Sequence, residues 1–360
     1  MTQNLRVAVL SDSTPERNGV GSYYADLVDQ LEHRVERAEL FCPEDRSDSW
    51  QRYLAPPLPG DKTQRIWFPR PFKLWSEVTG LHPNVIVVPT PGPFGLIGLA
   101  VARRRGIPLV MGFHTHYEAL TDIYWSDLFG RIARRYLMWS HRLFFRNSRV
   151  VLAVSPEMAD QARRMGAENA EVIGTSVPSE FLARPLAPLS QAPKRVLFAG
   201  RLAEEKNVDQ VVALARARPE LEVSIAGDGP MQAFVAEAAA STPNLDYMGW
   251  VPRDRLMDVI DAHDALVLPS MVESFGTVAL EALARGRLVI LSGSCGIATW
   301  PQFDECLFRI GDDESLVQAV DRTFALPYEA RVNAGRLAHQ AARDLNEWNL
   351  SKWIDRLQPQ

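Results

Sequence analysis

Two glutamates frame the stretch Glu273-Ser-Phe-Gly-Thr-Val-Ala-Leu-Glu281. Carboxylates accept strong hydrogen bonds from hydroxyl groups, and eight helical residues rise about 12 Å. One glutamate at each end of such a helix is therefore suited to a ligand with hydroxyls at both ends, such as a nucleotide-sugar. The same pattern also fits an ordinary surface helix with a capped start. The spacing alone leaves both interpretations open.

A strand, a loop and a helix are predicted around the first of these glutamates. The apolar run at 265–270 is typical of a buried strand, and good helix formers follow Thr277 until Gly286, where a glycine stop is expected. The start of a helix presents N–H groups without intrahelical partners and a partial positive charge, which suit a phosphate. Gly276 lets the backbone approach such a group closely. These features favour a phosphate site beside a hydroxyl site.

Two cations, Arg201 and Lys206, follow another predicted strand. Arginine offers a bidentate fork and lysine a point charge, and both suit a diphosphate. The alternative is a pair of solvated cations with Glu204 and Glu205 between them as partners. No paired-aspartate motif lies nearby, and the two cations would supply the charge that Mg²⁺ supplies elsewhere. We therefore expect no obligatory metal ion and no cofactor.

The loop after the first predicted strand contains Gly19 and Gly21 at a strand-to-helix junction. It lacks the full glycine fingerprint of a dinucleotide site. A tight turn that touches a bound ligand is one interpretation. A simple helix cap by Asn18 or Ser22 is the other.

His114 ends a predicted buried strand, and His116 lies two residues further on. In a strand the two would face the same side, but further metal ligands are missing. A hydrogen bond from His114 to a substrate hydroxyl is the better hypothesis, and His116 then only fills the loop.

Composition limits the class of protein. The chain has 360 residues, of which 46% are hydrophobic and 23% charged, which predicts two globular domains. The net charge of -5 argues against a nucleic-acid partner. The cysteines, Cys42, Cys295 and Cys306, share no metal or disulfide spacing and are expected to be free thiols. Neither a signal-peptide layout nor an apolar run of membrane-spanning length is present, so we expect a cytoplasmic protein.

Short apolar strands alternate with helical segments, which predicts an α/β protein with two doubly wound, Rossmann-like domains facing across a cleft. The predicted organisation is an N-terminal domain at 1–180, a proline-rich linker at 181–193, a C-terminal domain at 194–327 and C-terminal helices at 328–360 that cross back to the first domain. The predicted strands are 6–10, 84–90, 108–114, 150–155, 171–176, 195–200, 221–227, 245–249, 265–270 and 287–292.

Polar or glycine-rich loops follow these strands directly. Ligands of open parallel sheets bind beyond the carboxyl ends of the strands, so this placement favours a binding function over a purely structural one. The loops are 11–23, 114–117, 200–207, 227–230 and 273–277.

Motifs in both halves resemble the retaining glycosyltransferase family 4, which has the GT-B fold. The motifs are Gly200-Arg-Leu…Glu205-Lys206-Asn207, Ala226-Gly-Asp-Gly-Pro230, Gly249-Trp-Val-Pro252, Glu273-Ser-Phe-Gly-Thr…Glu281-Ala-Leu-Ala-Arg-Gly286, Asn18-Gly-Val-Gly21, Phe113-His-Thr-His116 and Ala153-Val-Ser155. The chain departs from the family pattern at 173–178 and 292–300.

The resemblance implies a role for each matching residue. Arg201 and Lys206 would bind the donor diphosphate, Glu281 the ribose and Glu273 the transferred sugar. The other implied contacts are Ser274, Phe275, Gly276 and Thr277 along sugar and phosphate, Gly227, Gly229, Trp250 and Val251 near the base, Gly19 and Gly21 near the phosphate or acceptor, and His114 near the sugar.

The resemblance also implies transfer of a hexose from a UDP-sugar, or from GDP-mannose as second choice, by front-face displacement with retention. No carboxylates are placed like a glycosidase acid and nucleophile. A nucleotide-sugar epimerase and a non-catalytic nucleotide-sugar-binding subunit are the alternatives. The Glu273-to-Glu281 motif favours transfer over the epimerase. The intact residues Arg201, Lys206 and Glu281 weigh against the non-catalytic subunit.

The acceptor is expected to be a lipid, a lipid-linked molecule or a glycan. Nine arginines and three acidic residues lie between Arg103 and Arg149, interleaved with aromatic residues. Such a segment can attach peripherally to an anionic membrane, here the inner face of the cell membrane. A partly buried helix with a solvated basic face is the alternative.

Overall fold

The computed structural model describes residues 2–15, 19–43, 55–58, 61–114 and 128–358. The chain divides into two compact units, residues 1–176 with 346–360 and residues 177–345.

The first unit is built on a parallel sheet with the strand order β2-β1-β5-β6-β7-β8, beside a small antiparallel pair, β3-β4. Its elements are β1 (Thr2–Leu10), α1 (Gly19–Glu32), β2 (Val35–Phe41), β3 (Pro57–Leu58), β4 (Asp61–Arg65), α2 (Pro71–Gly80), β5 (Val85–Val88), α3 (Pro93–Arg105), β6 (Leu109–Phe113), α4 (Leu128–Asn147), β7 (Val150–Ala153), α5 (Pro156–Arg164) and β8 (Ala170–Val172).

The second unit has a parallel sheet with the strand order β11-β10-β9-β12-β13-β14. Its elements are α6 (Ser179–Ala183), β9 (Arg195–Ala199), α7 (Val208–Ala217), β10 (Glu222–Ala226), α8 (Gln232–Ser241), β11 (Leu245–Gly249), α9 (Arg253–Asp261), β12 (Ala265–Leu268), α10 (Thr277–Ala284), β13 (Leu288–Ser292), β14 (Leu307–Ile310) and α11 (Leu316–Phe324). Short 3₁₀ turns cover Glu204–Lys206, Gly296–Thr299 and Pro301–Phe303.

Both sheets confirm the predicted doubly wound α/β class. The central strands β5, β6, β7, β12 and β13 consist largely of β-branched and other aliphatic residues and are buried almost throughout, as strands covered on both faces must be. The strand order reverses at the β1/β5 neighbours in one sheet and at the β9/β12 neighbours in the other. Such switch points leave a crevice at the carboxyl edge in which ligands bind.

The proline-rich segment after residue 177 packs on the second unit. Its carbonyl oxygens accept hydrogen bonds from three buried arginines: Arg285 binds the carbonyls of residues 181, 184 and 185, Arg287 those of 187 and 188, and Arg331 those of 190 and 191. Five of the residues form the helix α6. Three arginines thus hold a segment that has no strand pairing of its own.

The C-terminal residues form one helix, α12 (Tyr328–Leu357). Its last residues belong to the first unit, where buried polar contacts hold them. Asn346 donates to Gln30, Asn349 to Ser176, and the indole of Trp353 to the hydroxyl of Tyr23. Leu350, Trp353 and Leu357 also lie in the core that surrounds β1 and α1. The sheet of the first unit is therefore covered in part by the end of the chain.

Candidate donor-binding site

The amine of Lys206 and the carboxylate of Glu273 form an ion pair at the switch point of the second sheet. Nζ of Lys206 lies 2.7 Å from Oε2 of Glu273 and donates a second hydrogen bond, 3.0 Å long, to the carbonyl of Val272. The two side chains are 17% and 23% exposed, so each retains access to a ligand. Lys206 follows β9 and Glu273 follows β12, and the neighbouring strands bring together two residues that are far apart in sequence.

Arg201 is held by a carboxylate four positions further along the chain. Its Nη1 lies 3.0 Å from Oε1 of Glu205, whose side chain is buried. The carbonyl of Glu205 accepts hydrogen bonds from the amides of Met271 and Val272. The ion pair between Arg201 and Glu205 is also what the alternative interpretation of solvated cations predicts. The turn Glu204–Lys206 is nevertheless hydrogen-bonded directly to the residues before Glu273, which fixes Lys206 relative to that loop.

The helix α10 begins where the sequence predicts. Gly276 has a φ of +98°, in the region that favours glycine, and its carbonyl accepts from the amides of Ala279 and Leu280. The amides of Thr277 and Val278 hydrogen-bond to no other residue in the described part of the chain. The helix start therefore offers two N–H donors and the positive end of the helix dipole.

The loop after β13 supports this helix start from below. The amide of Gly296 donates to the carbonyl of Glu273, and the amide of Ile297 donates to that of Phe275. A Cβ atom at position 296 would lie 2.0 Å from the carbonyl oxygen of Ser274. The atypical stretch 292–300 thus positions the backbone of the predicted ligand loop.

Glu281 is almost completely buried one turn before the end of α10. Burial raises the pKa of its carboxyl group, and the neighbouring Arg253, whose Nη2 lies 3.5 Å from Oε1, opposes this shift. A carboxylate with so little water around it is costly on its own. It is suited to receive hydroxyl donors from a ligand.

Gly227 and Gly229 allow the loop after β10 to approach the loop after β9. A Cβ atom at Gly227 would lie 1.9 Å from the carbonyl oxygen of Gly200, and one at Gly229 would lie 2.5 Å from that of Leu202. The structure thus gives these glycines a packing role, whatever they also contact in a complex. Trp250, on the next loop, is 42% exposed.

Val251 directly follows Trp250 and is half-buried. The loop that contains both residues is anchored at Gly249, whose carbonyl accepts from the amide of Gly227, 2.7 Å away. Apart from Gly19 and Gly21, the residues that the sequence assigns to the diphosphate, the ribose and the base belong to the second unit. Most of them lie on loops that leave the carboxyl ends of its strands, whereas Thr277 and Glu281 lie on α10.

The remaining predicted residues lie in the first unit. Gly19 opens α1, and a Cβ atom at Gly21 would lie 2.1 Å from the carbonyl oxygen of Thr14. Nε2 of His114 lies 2.7 Å from the hydroxyl of Tyr24. Burial lowers the pKa of His114 to about 3, so its imidazole is neutral at physiological pH.

Some predictions fall outside the described residues, namely those on Asn18, His116 and the segment 115–127. Sequence reasoning also missed two residues that the structure places beside the predicted ones, Tyr24 and Arg253. The departure from the family pattern at 292–300 did direct attention to Cys295 and Gly296, which lie beside the Glu273 loop.

Within the described ranges, no three His, Cys, Asp or Glu side chains cluster as metal ligands. No helix in these ranges is both long and apolar enough to cross a membrane. All three cysteines are free thiols, as predicted.

Two protein-family models match the chain. Glycosyltransferase Family 4 matches residues 17–181, and Glycosyl transferases group 1 matches residues 184–340. The sulfoquinovosyl transferase SQD2 of Arabidopsis thaliana is 26% identical over 74% of this chain, which spans 55% of the plant protein's length. A GDP-mannose-dependent alpha-mannosyltransferase of Mycobacterium tuberculosis is 27% identical over 81% of this chain and 80% of its own length.

Solved structures have the same fold. A sucrose-phosphate synthase from Thermosynechococcus elongatus has a TM-score of 0.71 at 17% identity and 98% coverage of both chains. Anabaena HepE in complex with UDP and glucose has a TM-score of 0.69 at 15% identity, with 98% of this chain and 100% of HepE covered. The two parallel sheets and these structures show the GT-B fold, and the two family models show that the chain belongs to glycosyltransferase family 4.

Proposed function

We propose that the protein transfers a hexose from a nucleotide-sugar to a hydroxyl group of a lipid or glycan, with retention of the anomeric configuration and without an obligatory metal ion. The observation that carries the proposal is the ion pair of Lys206 and Glu273 beside the start of α10, at the switch point of the second sheet. The loops after β9, β12 and β13 contact one another there and present a cation, a carboxylate and backbone N–H groups, which suit a sugar diphosphate.

The diphosphate is the part of the donor that this arrangement suits best. Lys206, Arg201 and the amides of Thr277 and Val278 supply positive charge and N–H donors to a group that gains negative charge as the glycosidic bond breaks. Such fixed groups stabilise a departing diphosphate without reorganisation. This supports transfer without a metal ion.

Glu273 is suited to position the sugar. Its carboxylate keeps accepting positions for hydroxyls besides the bond from Lys206, and its backbone carbonyl is fixed by Gly296. No second carboxylate is assigned to the reacting carbon, so the departing phosphate oxygen would take the acceptor's proton on the same face of the sugar. Reaction on one face gives retention.

The test is donor turnover by the purified full chain. We expect slow release of nucleoside diphosphate from one sugar nucleotide, retained in EDTA, and a first hydrolysis product with the donor's anomeric configuration by ¹H NMR. Inversion, or activity that depends on added Mg²⁺, contradicts the corresponding part of the proposal. Conversion to an isomeric sugar nucleotide would identify an epimerase, and binding without turnover of any donor or acceptor would identify a non-catalytic subunit.

The nucleoside is tested by thermal shift with UDP, GDP and ADP and their sugars. We place UDP-sugars first. The name of the mycobacterial relatives supports GDP-mannose as the competing donor.

Replacing Glu281 with glutamine should weaken nucleotide-sugar binding about 10- to 100-fold, because a charged acceptor contributes about 1.5–3 kcal/mol. Burial raises the pKa of Glu281, so ionisation of this group costs the folded state stability at high pH, and this cost is lost as the pH falls through the raised pKa toward the ordinary carboxyl value. The Tm of the variant should therefore equal or exceed that of the wild type at pH 7.5, with a smaller difference at lower pH. Calorimetric titration and thermal unfolding measure the two effects.

The matched control is Glu237→Gln, which removes an exposed carboxylate from α8. It should change neither quantity. A lower Tm together with unchanged affinity in Glu281→Gln would show that this residue only supports the fold.

The acceptor side of the proposal rests on α4 and α2. Exposed residues recur along one face of α4, namely Arg135, Trp139, Arg142 and Arg146. Trp139 is 57% exposed, and Phe72 on α2 is 89% exposed. Arginines interleaved with exposed aromatics suit the interface of an anionic membrane, which supports a lipid or lipid-linked acceptor reached from the membrane surface.

Replacing Arg142 and Arg146 with glutamine should weaken binding to anionic vesicles about 30-fold, because each basic residue near such a surface contributes about 1 kcal/mol. Co-sedimentation with vesicles of phosphatidylglycerol and phosphatidylcholine at low salt measures this. Trp139→Ser should weaken binding too, whereas Trp348→Ser, at an exposed tryptophan on α12, should not. If the wild type and the variants bind anionic vesicles no better than neutral phosphatidylcholine vesicles, the basic face of α4 is only solvated and does not contact a membrane.

A further inference from the structure

The imidazole of His114 is held by a buried tyrosine that no motif predicts. Tyr24 lies on α1, ninety positions before His114, and its hydroxyl lies 2.7 Å from Nε2 of the histidine. Among the described residues this nitrogen is the hydrogen-bonding partner of that hydroxyl, and Tyr24 is fully buried. The pair therefore lies out of reach of water on the tyrosine side.

The backbone of β6 is shaped around this hydrogen bond. A Cβ atom at Gly112 would lie 1.8 Å from the hydroxyl oxygen of Tyr24 and 2.8 Å from Nε2 of His114. Any other residue at 112 would thus displace one of the two partners. The absence of a side chain there is an observation independent of the hydrogen bond itself.

A second tyrosine and the end of the chain fix the ring further. The ring centroids of Tyr23 and His114 are 4.9 Å apart, and Trp353 on α12 donates its indole N–H to the hydroxyl of Tyr23 at 2.5 Å. Tyr24 also packs edge-on against Trp353, with centroids 6.0 Å apart. The imidazole is therefore confined by neighbours that are themselves held.

The direction of the hydrogen bond follows from the free-energy cost of a buried hydroxyl hydrogen that has no acceptor. Burial keeps the pKa of Tyr24 above its usual range and that of His114 below, so both groups are neutral. If Nε2 carried the proton and donated to Tyr24, the hydroxyl hydrogen would be left without an acceptor, at a cost of about 1–3 kcal/mol. If Tyr24 donates, both its hydroxyl hydrogen and Nε2 of His114 have a hydrogen-bonding partner.

We propose that Tyr24 donates its hydroxyl hydrogen to Nε2 and thereby fixes the ring proton of His114 on Nδ1. His114 is partly exposed, and no residue in the described ranges hydrogen-bonds to Nδ1. Nδ1–H is then a neutral donor to an oxygen of the bound sugar nucleotide, either a sugar hydroxyl or a phosphate oxygen. The contact of Nδ1–H with the sugar nucleotide rests on the proposed function, whereas the position of the proton does not. Tyr24 is a positioning residue in this scheme.

The proton position is tested by long-range ¹H–¹⁵N correlation on the unliganded chain with ¹⁵N-labelled histidine. The His114 signals are identified by their loss in His114→Asn. We expect the Nδ1–H tautomer in the wild type and loss of that preference in Tyr24→Phe and Gly112→Ala. Tyr23→Phe removes an adjacent buried hydroxyl without touching Nε2 and should keep it. An Nε2–H tautomer in the wild type, or an unchanged tautomer in Tyr24→Phe, overturns the proposal.

The consequence for the ligand is tested by kinetics with the donor that the wild type turns over. Tyr24→Phe should lower kcat/KM about 10-fold, which corresponds to about 1.4 kcal/mol. Asparagine places its amide N–H near Nδ1 and glutamine near Nε2, so His114→Asn should retain more activity than His114→Gln. The reverse order overturns the donor role of Nδ1.

Binding of the free nucleoside diphosphate identifies the oxygen. If Tyr24→Phe weakens binding of the sugar nucleotide only, the oxygen belongs to the sugar, and if it weakens both, to the phosphate. Unchanged binding and turnover together overturn the ligand contact. A chain that turns over no donor while its tautomers behave as expected refutes the proposed function and leaves the inference on Tyr24 standing.

Discussion

Replacing Lys206 with methionine should lower sugar transfer about 10²- to 10³-fold, the loss typical of removing one fixed donor to developing negative charge. The amine is held within 3.0 Å of both Val272 and Glu273. It is therefore already positioned before the diphosphate leaves. Methionine keeps most of the aliphatic stem and removes only the charge. Single-turnover rates with saturating donor measure the loss.

Lys194→Met is the matched control, because Lys194 also pairs with a glutamate, Glu222, but on the surface. Transfer should remain at the wild-type level in this variant. Lys206→Met also leaves the half-buried carboxylate of Glu273 without its partner, so a Tm is needed beside the rate. Full transfer activity in a folded Lys206→Met protein would remove the basis for assigning the diphosphate to this end of the sheet.

Replacing Arg285 with alanine should destabilise the second unit by about 3–5 kcal/mol, as expected when one partner of a buried pair is removed. The guanidinium is fully buried, binds both oxygens of Asp261 at 2.8 and 2.9 Å, and donates to carbonyls of the segment before β9. Its loss leaves a carboxylate and several carbonyls unpaired at once. Urea unfolding followed by circular dichroism measures the change.

Arg216→Ala serves as the control, because Arg216 is an exposed arginine on α7. Its effect should stay within about 0.5 kcal/mol, the usual range for a surface position. A loss below about 1 kcal/mol for Arg285→Ala would mean that the segment 181–191 is held by its other contacts.

Most of the strands that the sequence predicts correctly are central strands buried on both faces, although the partly exposed edge strand β11 is also predicted. Their apolar runs are continuous, and only the ends differ from the structure by one to three residues in most cases, as for β13 and β12. The prediction misses β2, β14 and the short pair β3-β4. β2 contains Glu36, Arg37 and Glu39, and of its residues only Ala38 is buried. An edge strand with charged side chains carries little hydrophobic signal, and local reasoning cannot separate it from a loop.

The candidate site shows the same division. Gly276, Thr277 and the stop at Gly286 are local features, and the structure places the helix where they predict it. The pairing of Lys206 with Glu273, by contrast, depends on β9 lying beside β12, and the hydrogen bond from Tyr24 to His114 depends on α1 covering β6. Contacts of that kind follow from topology, so composition and spacing name the residues without naming their partners.

The single helix α12 also has a consequence for how the protein is made. Leu350, Trp353 and Leu357 complete a core whose other members come from the first half of the chain. A ribosome has therefore synthesised the entire second unit before the first can close around these side chains. Until then, part of the hydrophobic core of the first unit stays exposed to solvent. This departs from the usual order, in which the N-terminal domain folds first during synthesis. Loss of the last dozen residues would accordingly damage the end of the protein that is made first.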